Sequence, residues 1–185
     1  MFYLHAEVEG KRQLSRALEI IADNIQDFTP AFEEMEMDFY QTQQRVFLRE
    51  GSFEGLSAWA ALSPRYAAWK RQHFPGRGIL ELTGELRASL TRPSAPGSIR
   101  VINPDWMEIG TKVRTPDGRY NLGLLHQRGT SRMPARPPLR LTKNQRKRWV
   151  SIAHRILWFG KGRIEDTLER HLNYKNWKLR VDREP

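Results

Sequence analysis

The chain has 185 residues, a length that suits one domain or one domain with an extension, and it carries a net charge of +10. Cysteine is absent, which excludes disulfides, thiol catalysis and thiolate metal sites. No apolar run reaches about 18 residues and the first residues do not read as a signal peptide, so we expect a soluble protein of cytoplasmic origin, with no membrane partner.

The charge is unevenly distributed along the chain. Residues 1–50 hold 5 basic and 10 acidic side chains, residues 51–142 hold 14 and 6, and residues 143–185 hold 12 and 5. An acidic first segment and a basic remainder predict a polarised particle, which stacks with copies of itself or faces nucleic acid. A basic protein with solvated Lys and Arg side chains is the simpler alternative.

The first elements are a strand and a long helical region. Residues 2–8 alternate loosely and predict a short strand. Residues 14–39 then carry apolar side chains at alternating steps of four and three, which predicts a helical seam. Pro30 predicts a break near Phe28, with Thr29 capping the second segment. Packing of the seam on a sheet is favoured over a coiled coil between chains. The seam comprises Leu14, Leu18, Ile21, Ile25, Phe28, Phe32, Met35 and Phe39.

The next segment predicts shorter helices. Gly51 is expected to stop a helix that ends in "VFLRE". Residues 59–69 carry Trp, Leu, Tyr and Trp at helical spacing, with Ser63 as a cap and Pro64 at the first helical position. A further helical turn is expected to begin at Thr83.

A hairpin, a turn and a further helix follow. Residues 99–102 and 106–109 predict two strands, and residues 115–118 ("TPDG") predict a tight turn. Residues 120–127 predict a short helix. Residues 137–142 ("PPLRLT") predict an edge strand, because proline cannot donate a hydrogen bond to an inner ladder.

The C-terminal part predicts helices with a basic character. Thr142 and Gln145 form a capping-box pattern, and a second helix is expected over residues 164–172. We therefore predict an α+β fold in which long kinked helices pack on a small, mostly antiparallel sheet. An α+β domain over residues 1–142 is followed by basic helices and a tail over residues 143–185, as part of the same domain. The first of these helices carries Trp149, Ile152, Ala153, Ile156 and Leu157 on one face and Lys147, Arg148 and Arg155 on another.

The sequence gives no positive sign of an enzyme. The five histidines never stand three or four residues apart, so no metal site is predicted, and neither a nucleophile elbow nor a phosphate loop occurs. His126 lacks an orienting acid nearby, and a packed histidine at a helix end is the favoured interpretation. We predict no catalytic residue, no metal and no cofactor.

Nucleic-acid binding remains open on the sequence alone. Basic and aromatic side chains are interleaved, but no helix-turn-helix, finger or RNA-binding sheet motif occurs. Any affinity is expected to be independent of sequence and sensitive to salt. Which residues would face DNA is not predicted.

Five motifs follow one another along about residues 10 to 160. They are "VFLREGSFEGLSAWAALSPRYAAWK" with Gly55 and Trp59, "GILELTGELRASL" with Leu80 to Leu86, "MEIGT", "YNLGLLHQRGT", and "MPARPPLRLT". Their order resembles the virion-morphogenesis (tail-completion) proteins of tailed phages, and the chain would be made in the host cytoplasm. Pro138 stands where that family often has an aromatic residue, and the basic C-terminal extension is a second departure.

The resemblance implies an α+β subunit of a non-enzymatic virion structure. Such subunits form a ring, commonly a hexamer, at the head-proximal end of the tail. The ring caps the tail-tube protein and docks the head connector, and DNA passes through its lumen. A DNA-binding accessory protein, a head–tail connector or assembly factor, and an assembly chaperone absent from the particle are the alternatives.

The last two motifs supply the candidate interface with a neighbouring subunit or partner. Gly129 allows a backbone turn, and the prolines fix φ, so the segment would enter a sheet edge already ordered. Arg136 would bond a carboxylate, either within the subunit or on the acidic segment of the next one. We interpret this region as a joint. Its residues are Tyr120, His126, Gly129, Pro134, Arg136, Pro137 and Leu139.

Overall fold

A computed structural model describes residues 5–8, 11–160 and 179–182. Within these residues six helices and four short strands form an α+β fold, as predicted. The elements in chain order are β1 (His5–Val8), α1 (Lys11–Gln26), α2 (Thr29–Leu48), α3 (Pro64–His73), α4 (Glu85–Thr91), β2 (Ser98–Ile102), β3 (Met107–Thr111), α5 (Leu122–Arg128), α6 (Lys143–Phe159) and β4 (Leu179–Asp182).

The strands form two separate antiparallel pairs. The hairpin predicted around "NPD" is present, with β2 paired to β3 so that Ser98 lies opposite Thr111 and Ile102 opposite Met107. The second pair joins β1 to β4, which lie at the two ends of the chain. The sheet content is therefore antiparallel, as predicted, but it is divided into two ribbons.

The long helical region breaks where Pro30 predicts it. Helix α1 ends at Gln26, and Phe28 occupies the cap position of α2. The predicted cap, Thr29, is instead the first helical residue, because Asp27 Oδ1 accepts the Thr29 N–H at 3.0 Å. The Phe28 N–H donates to the Pro104 carbonyl at 2.8 Å, which fixes the break against the loop between β2 and β3.

Two apolar clusters hold the helices together. The first lies between α2, the loop after it and α4, and it takes in side chains from the later loops. The second joins α2 to α6, which also lies against α1. The first is built on Val46, Phe47, Trp59, Leu86 and Leu90, and the second on Ala31, Met35 and Ile156 with Phe28, Phe32, Met107, Trp149, Ile152 and Ala153 around them.

Helix α6 begins as the sequence predicts. Thr142 Oγ1 accepts the Gln145 N–H at 2.9 Å, which is one half of the capping box. The other half is missing, because the buried Gln145 amide has no hydrogen-bond partner among the described residues. The helix ends before Gly160, which has φ +66°. The helix predicted over residues 164–172 lies outside the described residues.

Acidic side chains of α2 are bound to arginines from the basic part of the chain. Glu36 receives two hydrogen bonds from Arg100, at 2.5 and 2.8 Å. Asp38 accepts from Arg148 at 2.6 Å and from the Trp149 indole at 2.9 Å. Arg155 forms an ion pair with Glu34. The charge asymmetry seen along the sequence is thus partly neutralised inside the subunit, since Arg148 and Arg155, on the basic face of α6, are bound to carboxylates of α2.

Two predicted helix starts are displaced. Helix α3 begins at Pro64 with Ser63 at its cap, as predicted, but Trp59 and Leu62 precede it in an extended segment. Helix α4 begins at Glu85, two residues after the predicted Thr83, because Gly84 takes the cap position with φ +91°.

Candidate docking pocket

The proline-rich segment after α5 is extended but belongs to no sheet. The prediction of an edge strand over residues 137–142 is wrong, since no ladder pairs with it. Two adjacent prolines remove the donors that a ladder needs. The segment is held by side chains instead: Trp59 Nε1 donates to the Pro137 carbonyl at 2.9 Å, and the Gln127 amide bonds both backbone groups of Leu139.

Gly129 turns the chain back over α5, as predicted. It follows the helix with φ +73°, a conformation that favours glycine. A Cβ atom at this position would lie 2.7 Å from the Ala135 nitrogen and 2.9 Å from the Met133 carbonyl oxygen. The turn brings the Arg136 N–H to the His126 carbonyl at 2.8 Å.

Arg136 fastens this segment to the loop before α3. Its side chain is buried, with only 5% of the residue exposed. Nε donates to the Ala60 carbonyl at 2.6 Å, and Nη2 donates to the Ala61 carbonyl at 2.7 Å. These two bonds differ from the predicted bond to a carboxylate. The residues before α3 are not helical, so their carbonyls accept no hydrogen bond from a helix. The two donors of the guanidinium group supply these bonds instead.

A pocket of about 640 Å³ opens beside this joint. It lies between the start of α3, the loop leading into α4, the turn after β3, α5 and the segment that carries Arg136. We call it the docking pocket. Its apolar lining is Leu62, Leu80, Leu82, Leu122, Met133 and Pro134, and its charged lining is Lys70, Glu81, Glu85, Arg114, Arg132 and Arg136.

Buried titratable groups lie at the floor of the docking pocket. Burial lowers the pKa of Lys70, while the carboxylates of Glu81 and Glu50 act in the opposite direction. Lys70 Nζ donates to the Gly78 carbonyl at 2.5 Å. Burial, and then the nearby charge of Arg136, lower the pKa of His126. The buried His126 Nδ1 has no hydrogen-bond partner among the described residues.

A stack of aromatic rings borders the docking pocket. Trp69 packs against Tyr66 with ring centres 5.5 Å apart and against His73 at 5.0 Å, both nearly parallel. His73 Nδ1 donates to the Trp69 carbonyl at 2.8 Å, which fixes the outer ring. Tyr66 and Trp69 remain about 40% exposed. Helical spacing in the sequence predicted that Tyr66 and Trp69 lie on one face of a helix. It did not predict that this face of α3 is exposed.

The seven candidate interface residues fall into three groups in the structure. His126, Pro134 and Arg136 line the docking pocket. Gly129, Pro137 and Leu139 shape or anchor the segment behind it, and Leu139 packs on the first apolar cluster. Tyr120 is exposed at the end of the 115–118 turn, where its carbonyl accepts the Thr115 N–H. Their role as an interface stays a prediction.

Helix α1 presents a second surface that sequence reasoning placed inside. The seam residues of α2 pack inward, largely on α6. Three of the four seam residues of α1 do not: Leu14, Leu18 and Ile25 are 43%, 57% and 60% exposed, while Ile21 is half-buried. The prediction that the whole seam packs on a sheet is therefore wrong for α1. Asn24 Nδ2 donates to the Leu157 carbonyl at 3.0 Å, which holds α1 to α6 while these side chains face out.

The described residues offer neither a metal site nor a membrane-spanning helix. Among residues 5–8, 11–160 and 179–182, no three His, Asp or Glu side chains converge in a way that could bind a metal ion. No helix in the same residues is long and apolar enough to span a membrane.

The sequence was compared with known families, curated proteins and solved structures. The profile of the phage virion morphogenesis family matches residues 10–158, which is most of the chain. Neither the curated proteins nor the solved structures gave a match. The matched span runs from the start of α1 to the end of α6 and includes every element that forms the docking pocket. The chain therefore belongs to the phage virion morphogenesis family, and its role lies in the structure or assembly of a phage particle.

Proposed function

We propose that this protein is a non-enzymatic subunit of a ring at the head-proximal end of a phage tail. The ring, a hexamer in this proposal, caps the tail-tube protein and joins the tail to the head connector. DNA passes through its lumen. Membership of the virion morphogenesis family supports a structural role, and the surfaces of the subunit support assembly.

The exposed row of α1 is the observation that carries the proposal. Leu14, Leu18 and Ile25 repeat at the spacing by which helices dock side by side. Removing such side chains from water stabilises a contact by about 25 cal/mol for each Å² of apolar area. The neighbouring α6 holds the backbone of α1 in place, so little order is lost when a second subunit covers the row.

The docking pocket gives the subunit a second contact. Rigid aromatic side chains beside a concave site are typical of the anchors that dominate protein interfaces. Tyr66 belongs both to the ring stack and to the pocket lining. A closed ring needs two different surfaces on each subunit, and these two surfaces meet that need.

The experiment is a measurement of mass in solution by light scattering, with and without the tail-tube protein of the same phage. We expect a discrete ring, either alone or with that partner. The double variant Leu18→Glu with Ile25→Glu should remain a monomer. The control Leu124→Glu changes an exposed leucine of α5 outside both surfaces and should assemble normally. A wild-type protein that stays monomeric in both conditions overturns the proposal.

The alternative is sequence-independent DNA binding by the monomer. Its support is the net charge of +10, which already counts the acidic partners in the ion pairs of α2. It predicts a gel shift of duplex DNA that weakens steeply with salt. A protein that forms no complex with DNA at low salt contradicts this alternative. Detection in purified virions separates a ring subunit from an assembly chaperone that leaves the particle.

A further inference from the structure

A second concave surface lies between the C-terminal half of α2 and α4. It has a volume of about 780 Å³, and four arginines line it against one carboxylate, that of Glu85. We call it the arginine groove, defined by Arg45, Leu48, Arg77, Arg87 and Arg92. We propose that the arginine groove binds an acidic segment of a different protein, which places an apolar side chain on Leu48.

The positive charge of the groove is only partly compensated within the subunit, by Glu85 in the lining and by Glu54, whose carboxylate interacts with the charge of Arg45. Arg87 is bound to Glu81 at 2.8 Å. Among the described residues, no carboxylate lies within ion-pair distance of Arg45, Arg77 or Arg92. Planar guanidinium groups bind carboxylates through two parallel hydrogen bonds, so the groove has the chemistry to receive Asp and Glu side chains.

An aromatic ring lies against one wall of the groove. The Arg45 guanidinium lies 5.8 Å from the centre of the Phe53 ring, and Arg49 lies 5.6 Å from the same ring. Stacking on an aromatic face limits the positions that a guanidinium samples. Arg45 is thus arranged before a partner arrives, which lowers the entropy lost on binding.

The apolar part of the groove favours a protein over a nucleic acid. Leu48, the last residue of α2, is 75% exposed, and Ala88 of α4 also lines the groove. Phosphate backbones are bound by basic and polar groups and gain little from an exposed leucine. A peptide with alternating acidic and apolar side chains uses both features of the groove.

A different protein is the proposed source of that segment. In a second copy, the acidic helix α2 already commits Glu34, Glu36 and Asp38 to arginines of its own subunit, and presenting them to a neighbour would break these ion pairs. Helix α1 also carries the exposed Glu19 and Asp23. A second copy is therefore an outcome of the test: loss of self-association on charge reversal in the groove would overturn the assignment to a different protein.

The test is fluorescence anisotropy with the full-length protein and three labelled probes. The first probe is a short peptide in which Glu and Leu alternate, the second has Ser in place of each Leu, and the third is a short DNA duplex. We expect the Glu–Leu peptide to bind about tenfold more tightly than the Glu–Ser peptide, a difference of about 1.4 kcal/mol. The variant Leu48→Ser should abolish that difference.

Two matched charge reversals complete the test. Arg45→Glu with Arg92→Glu should weaken the binding of the Glu–Leu peptide at least about tenfold. Arg119→Glu with Arg128→Glu makes the same change of charge at exposed sites outside the groove and should change affinity less than about twofold. All the substituted side chains are exposed, and unchanged thermal unfolding will show that each variant is folded. Equal losses in both double variants overturn the proposal. It also fails if DNA binds in the groove while the two peptides bind alike.

Discussion

The Gln127 side chain pairs with both backbone polar groups of Leu139. Its Nε2 donates to the Leu139 carbonyl at 3.1 Å, and its Oε1 accepts the Leu139 N–H at 3.2 Å. A primary amide presents one donor and one acceptor in the same arrangement as a strand backbone. One side chain of α5 thus does locally what a neighbouring strand would do, and the proline-rich segment needs no sheet.

Replacing that amide should destabilise the fold. In Gln127→Leu, the Leu139 N–H and carbonyl lose their partner in a partly buried place, and each unsatisfied group costs about 1–3 kcal/mol. Urea unfolding should show a lower midpoint. The control Gln41→Leu removes an exposed glutamine of α2 and should change the free energy of unfolding by less than about 0.5 kcal/mol. Equal midpoints for wild type and Gln127→Leu contradict the role of this pair.

Two glycines with nearly equal φ differ in how tightly their surroundings constrain them. Gly118 has φ +70° and open space around it, whereas Gly129 has φ +73° and backbone atoms within 3 Å of an added Cβ. Gly118→Ala should lower the free energy of unfolding by about 1–2 kcal/mol, which is the cost of placing a side chain on a left-handed backbone. Gly129→Ala should cost clearly more, because φ +73° with ψ −177° is a region that only glycine readily adopts and because the Ala135 backbone would have to move. Thermal and urea unfolding of the two variants measure the difference, and identical losses would show that neither effect matters at Gly129.

Arg136 should be required for stability whether or not it contacts a partner. Arg136→Met leaves the Ala60 and Ala61 carbonyls without donors, which we expect to cost roughly 2–4 kcal/mol. Arg136→Lys should recover only part of this, because an ammonium group lacks the fork geometry. Arg132→Met, on the exposed rim of the same pocket, is the control and should unfold like wild type. If Arg136→Met unfolds like wild type as well, the joint is held by other contacts.

His126 should make stability depend on pH in the acidic range. Its pKa is lowered by burial and by Arg136, so the folded state favours the neutral ring. A histidine with a lowered folded pKa contributes stability that is complete above the unfolded value near 6.5 and is lost as pH falls through the folded value. The urea midpoint of the wild type should therefore drop below about pH 6.5, and His126→Gln should flatten that drop. His154→Gln removes an exposed histidine and should leave the profile unchanged. A steeper or equal drop in His126→Gln would contradict this assignment.

The sequence correctly predicted the helix starts, caps and turns that depend only on neighbouring residues. Pro64 begins a helix because its ring pre-sets φ, Thr142 caps one because its hydroxyl reaches the next turn, and Gly129 turns the chain because a side chain does not fit there. Pro30 breaks the long helix for a similar local reason. These signals act within a few residues, so one sequence suffices to see them.

Features that join distant segments were missed. Trp59 has helical spacing with Tyr66, but its indole bonds Pro137, 78 residues further on, and this contact belongs to an extended chain. Arg45 and Arg92 line one groove because α2 packs on α4. Neither contact leaves a periodic pattern in the sequence, since each depends on how separate elements pack.

The break at Phe28 divides the apolar seam into an outward-facing half on α1 and an inward-facing half on α2. Substitutions in the second half of the seam, at Phe32 or Met35, alter the packing of the subunit itself. Substitutions in the first half, at Leu18 or Ile25, change side chains that are more than half exposed. If the outward row contacts a partner, as proposed, it is free to diverge as that partner changes, while the inward row is constrained by the core. A lineage of such subunits could then acquire a new neighbour without a change of fold.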